Sequence, residues 1–191
     1  MRRIVVLLAS CGLFLSSAVV AHEAPSWDDR TSRYSAWNQL CMEYTPDRSC
    51  EGIKPPKVKR VKMEDGLRGY YDGGDTVYLN RKLWGMQKEA TTIHEMSHYL
   101  DTQLGLNPDM PVRRSDKKKV LGLCRSERRA WDLTDQYWRN KQRPGRAVDG
   151  RWVRWYQHCR EFAHILYPEK YSSPLPTTGN GFWSRWINVT H

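Results

Sequence analysis

The spacing of apolar side chains predicts four helices along the chain. Apolar residues recur every three or four positions over residues 31–44, 89–104, 121–139 and 152–166, which is the period of an amphipathic helix. Gly105 directly follows the second stretch, and glycine commonly ends helices because it accepts a left-handed backbone. The helix over residues 89–104 is therefore the most clearly bounded element of the sequence.

Between the first two helices the pattern changes to that of short strands. Residues 58–63 alternate apolar and basic side chains, and residues 67–71 and 76–79 are rich in strand-favouring residues. The segment Asp72-Gly73-Gly74-Asp75 is a strong turn signal, so residues 69–79 are predicted to form a hairpin. Together these elements predict an α+β domain, with a small antiparallel sheet or hairpin packed on the second helix and two or three helices after it.

The first residues have the pattern of a secretory signal peptide. Arg2 and Arg3 precede an apolar run over residues 4–21, which predicts a signal peptide at 1–21 and a single domain at 22–191. Leu8-Ala9-Ser10-Cys11 resembles a bacterial lipid-attachment box, so a lipoprotein anchored through Cys11 is the alternative. No later segment is apolar enough to span a bilayer. The expected location is therefore the periplasm or the medium.

Four cysteines remain if Cys11 leaves with the signal peptide. An oxidising compartment favours their pairing, and we expect the disulfides Cys41–Cys50 and Cys124–Cys159 because each pair joins neighbouring elements. Two other connectivities are open. A zinc–cysteine site is the competing interpretation, but the sequence contains no Cys-x-x-Cys.

The charge balance limits the classes of partner. The chain carries 31 Lys and Arg against 21 Asp and Glu, a formal net charge of +10. In an exported protein this balance favours anionic envelope polymers, lipid headgroups or acidic proteins over nucleic acid. A well-solvated surface without a specific partner would explain the same charge.

The candidate chemistry lies in the middle of the second helix. His94 and His98 are four residues apart, which places both imidazoles on one helix face at a distance that suits a single tetrahedral ion such as zinc. Glu95 follows the first histidine, where a carboxylate can accept a proton from water beside the ion. The competing interpretation is a helix with two histidines that bind no metal.

The segment 91–100, Thr-Thr-Ile-His-Glu-Met-Ser-His-Tyr-Leu, resembles the extended zinc-binding signature of the zincin metallopeptidases. The resemblance implies a zinc cofactor and hydrolysis of peptide bonds. It also implies a twisted sheet before the helix, whose edge strand binds protein or peptide substrate in an extended conformation. The hairpin at 69–79 stands in that position, although an ordinary hairpin without a substrate role has the same sequence pattern.

The third metal ligand is predicted from a second, shorter resemblance. Zincins with a ligand six residues after the second histidine do not match, because that position is Leu104. The gluzincin type takes a glutamate from a following helix, and Ser126-Glu127-Arg128-Arg129-Ala130-Trp131 resembles that segment. The resemblance implies Glu127 as the ligand, and three alternatives remain: Glu161, His158 and His164.

Two supporting groups are also expected. Asp101, three residues after His98, can accept the outer N–H of a ligand histidine, and the competing interpretation is a plain surface charge. A donor to the developing oxyanion is needed as well. The sequence does not choose among its candidates, which are Tyr137, Tyr156, His158 and His164.

These features predict an exported zinc metallopeptidase with Glu95 as its proton acceptor. One alternative is an exported basic, tryptophan-rich module that binds anionic envelope material and carries a structural or inactive zinc site. The other is a zinc hydrolase that acts on peptidoglycan crosslinks.

Overall fold

The computed structural model describes residues 29–44, 50–108 and 112–177. The predicted signal peptide and Cys11 lie outside these ranges. In chain order, the elements are α1 (Asp29–Gln39), a π-helical turn (Leu40–Tyr44), β1 (Lys57–Val61), β2 (Gly69–Tyr71), β3 (Thr76–Asn80), α2 (Gly85–Gln103), α3 (Lys117–Asn140), three 3-10 segments (Pro144–Arg146, Arg151–Arg154 and Gln157–Phe162) and α4 (Ala163–Leu166). The α+β class is therefore confirmed.

The sheet is mixed, not antiparallel as predicted. Its strand order is β1-β3-β2, with β1 parallel and β2 antiparallel to β3. Val77 and Leu79 of β3 are fully buried, so β3 takes the centre, while the exposed lysines of β1 suit an edge. The turn after β2 forms the predicted hairpin, and the chain after β1 must cross to the far edge of the sheet.

The larger hydrophobic core lies between the sheet and the helices α1, α2 and α3. Ile93, Met96 and Leu100 of α2 are fully buried in it beside Val77 of β3. Their spacing of three and four residues is the stripe that an amphipathic helix presents to a core. This packing buries α2 along most of its length, so the site on that helix is largely shielded from water.

A second core joins the first half of α3 to the segments that follow it. Val120 and Cys124 of α3 pack with Trp152, Phe162 and Leu166, and all five side chains are buried. The second half of α3 belongs to the larger core instead. α3 therefore connects the two cores, which fixes its position relative to α2.

The structure contains the two disulfides that the sequence favours. Cys41–Cys50 ties the end of the first helical region to the chain before β1, and Cys124–Cys159 ties α3 to the 3-10 segment Gln157–Phe162. Among the described residues, no helix is long and apolar enough to cross a membrane.

The predicted last helix, residues 152–166, is wrong as a continuous element. Two 3-10 segments and the single turn α4 replace it, with extended backbone at Tyr156 (φ −95°, ψ 98°) between the two segments. Trp152 and Cys159 both enter the second core, and Cys159 is also tied to α3. The break at Tyr156 allows both contacts and leaves the tyrosine hydroxyl within reach of Glu127 on α3.

Candidate metal centre

The two histidines of α2 face each other across one turn of helix. Nε2 of His94 lies 3.3 Å from Nε2 of His98, and the rings meet nearly at right angles. Both side chains are largely buried, with 11% and 15% of their surface exposed. Two ring nitrogens this close together could bind the same metal ion.

Glu127 of α3 brings a carboxylate to the same point. One oxygen, Oε2, lies 3.6 Å from Nε2 of His94, and the other, Oε1, lies 3.6 Å from Nε2 of His98. Glu127 reaches the histidines because α3 packs along α2 and carries this residue on the facing side. Three potential ligands from two helices thus surround one point.

The spacing of these donors fits a metal ion. A tetrahedral ion with bonds of about 2.0–2.1 Å separates any two of its ligand atoms by roughly 3.3–3.4 Å. The two ring nitrogens are 3.3 Å apart, and each lies 3.6 Å from one carboxylate oxygen of Glu127, Oε2 for His94 and Oε1 for His98. In addition, the buried Oε2 of Glu127 has no hydrogen-bond partner among the described residues. His94, His98 and Glu127, called the triad below, could therefore hold one divalent ion.

The alternatives for the third ligand lie elsewhere. His158 groups with Cys124 and Cys159, but both sulfur atoms of that group are in a disulfide and cannot act as thiolates. Glu161 pairs with Nζ of Lys117 at 2.6 Å. Among the described residues, His164 joins no group that could bind a metal.

A serine separates His98 from the predicted aspartate. Nδ1 of His98 lies 2.9 Å from Oγ of Ser126, which donates its hydrogen to Oδ2 of Asp101 at 2.7 Å. Ser126 therefore accepts the hydrogen of Nδ1–H. Nε2 of His98 then carries a lone pair, which points toward His94 and Glu127. Asp101 is fully buried, and Arg129 donates to it from Nε at 2.9 Å. The carboxylate thus acts on His98 through Ser126, not directly.

A threonine performs the same task for His94. Oγ1 of Thr134 donates to the carbonyl of Ala130 at 2.8 Å, so it can only accept from Nδ1 of His94, 3.4 Å away. Trp131 packs edge-on against the His94 ring, with centroids 4.8 Å apart. Ser126, Thr134 and Trp131 were not predicted from the sequence as part of the site. Thr134 and Trp131 lie seven and four positions after Glu127, which is the helical spacing that could have identified them.

Glu95 lies beside the triad and under the sheet. It is 6% exposed, and burial raises its pKa to about 7, with the charge of Glu127 adding to the shift. A methyl group built on Gly69 of β2 would lie 3.0 Å from Cγ of Glu95. The glycine allows β2 to pass directly over this carboxylate.

The ionisation of Glu127 suits a metal ligand. Burial by itself raises the pKa of this carboxyl, but positive charge on His98 and His94 when they are protonated, with a hydrogen bond from His94, outweighs it and lowers the pKa to about 2. A ligating carboxylate must be deprotonated, and this one is ionised throughout the neutral range.

The structure distinguishes Tyr156 from the other oxyanion-donor candidates. Its hydroxyl lies within reach of Glu127, and burial, together with the charges of Glu127 and Glu95, raises its pKa well above the ordinary value. The hydroxyl of Tyr137 instead donates to Glu89 at 2.6 Å. Burial lowers the pKa of His158 to about 4, so that imidazole is neutral.

The structure thus brings His94, Glu95, His98 and Glu127 together, with Asp101 one hydrogen bond further out. No protein-family model, curated protein or solved structure matches this chain. The group His94, His98 and Glu127, which could hold a metal ion, is therefore the observation that bears on function.

Proposed function

We propose that this protein is a zinc-dependent metallopeptidase, with the triad as its zinc site. The observation that carries the proposal is the triangle of donors from His94, His98 and Glu127, with Glu95 adjoining it. Among the described residues, no fourth ligand joins the triad. Three protein ligands are typical of catalytic zinc, whereas structural zinc has four.

Glu95 moves the proton in this mechanism. The triad would hold zinc, which when bound would lower the pKa of a water molecule and polarise the carbonyl of the substrate. The carboxylate of Glu95 accepts the proton of that water and delivers it to the nitrogen of the leaving amine. Its burial supports this role because little bulk water competes for the proton.

The neighbours of the triad hold its groups in place. Ser126 and Asp101 fix His98 with its Nε2 unprotonated, and Thr134 does the same for His94. The hydroxyl of Tyr156, protonated at any physiological pH, donates to the oxyanion that forms on the substrate carbonyl.

The substrate is a peptide segment in extended conformation. β2 is an edge strand that pairs with β3 on one side, and Gly69 brings it over Glu95. A peptide added along the free edge by backbone hydrogen bonds would pass the triad. The zincin-like segment of α2 supports the same assignment.

Export is part of the proposal. Two disulfides support an oxidising compartment, the periplasm or the medium, which agrees with the signal peptide expected from the sequence. Anionic envelope material is a candidate partner there because the chain has a net charge of +10.

The test compares the protein with its Glu95→Gln variant. Metal analysis should find one zinc per chain in both proteins, and casein should be cleaved only by the unaltered one. Purified cell-wall sacculi are assayed in parallel, because release of muropeptides without casein cleavage would assign the same centre to peptidoglycan crosslinks. Absence of bound zinc, or full activity in Glu95→Gln, refutes the proposal.

A further inference from the structure

The excess positive charge of this protein lies mainly in residues 112–177, which supply Glu127 to the triad. Residues 50–108, which carry the sheet and α2, contain nine basic and eight acidic residues. Residues 112–177, which carry α3 and the segments after it, contain sixteen basic and seven acidic residues. The triad lies where these two parts meet, so a bound substrate is flanked by one nearly neutral part and one strongly basic part.

Six of the seven acidic side chains of the basic part already have a contact, and Glu169 is the seventh. Glu127 belongs to the triad, and five others bind a cation, a hydroxyl or a backbone N–H within the same part: Asp116, Asp132, Asp135, Asp149 and Glu161. Seven carboxylates cannot balance sixteen cations, so this part keeps a surplus of positive charge.

Three basic side chains without an ion-pair partner among the described residues lie at or just before the start of α3. Arg113, Arg114 and Lys118, called the basic rim below, are exposed, and within the described part of the chain none of them forms an ion pair. Lys117, which lies between Arg114 and Lys118 in the sequence, forms an ion pair with Glu161. The two carboxylate oxygens of Glu161 lie 2.6 and 2.7 Å from Nζ of Lys117.

The basic rim lies beside the metal centre. The pair Lys117–Glu161 ties the start of α3 to the 3-10 segment Gln157–Phe162, which also contains His158. The positive charge of Arg114 acts on His158, and His158 in turn lies close enough to Glu127 to feel its charge. Arg114 and Glu127 thus both lie close enough to the half-buried imidazole of His158 for their charges to shift its pKa.

We propose that the peptide segment bound at the metal centre carries carboxylate side chains, and that the basic rim, above all Arg114, binds them. This inference rests on the proposed function for the location of the substrate and extends it to the substrate's chemical class. Exposed cations beside a partly enclosed site attract anionic ligands over several ångströms, and dissolved salt weakens that attraction.

The test measures binding separately from hydrolysis. Two fluorescent peptides of one sequence are compared, one with glutamate and one with glutamine at the positions flanking the central bond. Their dissociation constants for the Glu95→Gln protein are measured by anisotropy at low and moderate salt, alone and with Arg114→Ala added. The rates at which the unaltered protein cleaves the two peptides provide a second readout.

Arg146→Ala is the matched control. Arg146 is also exposed and unpaired among the described residues, and its loss changes the net charge equally. It follows the end of α3 at Asn140, thirteen residues after Glu127, which is about 20 Å along the helix.

We expect the glutamate peptide to bind roughly fivefold more tightly than the glutamine peptide at low salt. Arg114→Ala should remove most of that difference, and Arg146→Ala should leave it. Equal binding of both peptides, or an equal effect of the two substitutions, overturns the inference even if the protein cleaves peptides. An Arg114-dependent preference in binding supports it even if no peptide is cleaved, an outcome that would refute only the proposed function.

Discussion

Oγ of Ser126 lies 2.9 Å from Nδ1 of His98 and passes its own hydrogen to Asp101. A hydroxyl thus connects an imidazole of the triad to a fully buried carboxylate, which Arg129 also binds. The direction of these hydrogen bonds determines which nitrogen of His98 is free to bind a metal. Outer groups of this kind hold the ligand ring in position and raise its basicity.

Removal of this hydroxyl should weaken metal binding. In Ser126→Ala, Nδ1 of His98 loses its acceptor and Asp101 loses a donor, so we expect zinc affinity to fall by about tenfold or more. Competition with a chromogenic chelator measures the change. Ser97→Ala is the matched control, because Ser97 is fully buried next to His98 and its hydroxyl has no hydrogen-bond partner among the described residues. Equal affinities in the two variants would contradict the arrangement.

Glu127 should be indispensable for metal binding, and Glu161 should not. Glu127→Gln replaces the anionic donor of the triad with a neutral amide, so the purified variant should contain well under one zinc per chain. Glu161→Gln breaks only the contact with Lys117 and should keep the full zinc content. Elemental analysis after dialysis gives both values. Loss of zinc in Glu161→Gln with retention in Glu127→Gln would reverse the ligand assignment.

Gly69 should be required for the position of Glu95. A methyl group at this position would lie 2.9 Å from both Cγ2 of Thr91 and the carbonyl oxygen of Tyr78, and 3.0 Å from Cγ of Glu95. We expect Gly69→Ala to cost about 1–3 kcal/mol of stability and to lower kcat, while zinc remains bound.

Thermal unfolding, zinc content and peptide cleavage check the three parts of this prediction. Gly145→Ala is the control, because a methyl group there would meet nothing within 4 Å. An unchanged melting temperature together with full activity in Gly69→Ala would show that β2 does not press on the proton acceptor.

The two disulfides should differ in their effect on the metal centre. Cys124–Cys159 closes a separation of 35 residues and Cys41–Cys50 one of 9, so their loss should cost about 4 and 2.5 kcal/mol respectively. Only the first holds α3, which carries Glu127, against the segment that follows Tyr156. We therefore expect weaker zinc binding in the Cys124→Ala, Cys159→Ala double variant.

Urea unfolding and chelator competition on the two double variants measure both effects. The Cys41→Ala, Cys50→Ala variant should lose stability but keep its zinc affinity. If both pairs changed zinc affinity equally, the effect would reflect general loosening of the domain and not the position of α3.

Local spacing in the sequence was enough to predict the central part of the site. One helical turn separates His94 from His98, and Gly105 stops the helix that carries them. The turn at residues 72–75 likewise required a hairpin. These predictions depend on residues within a few positions of one another, for which backbone geometry alone sets the distances.

The tertiary structure alone determined the hydrogen-bond partners of His94 and His98 and the pairing of the strands. It placed Ser126 between His98 and Asp101, brought the hydroxyl of Tyr156 within reach of Glu127, and made β1 parallel to β3. It also broke the predicted last helix at Tyr156. The contacts of Ser126 join residues 25 or more positions apart and follow from how α3 packs between two cores, and no local period in the chain records that packing.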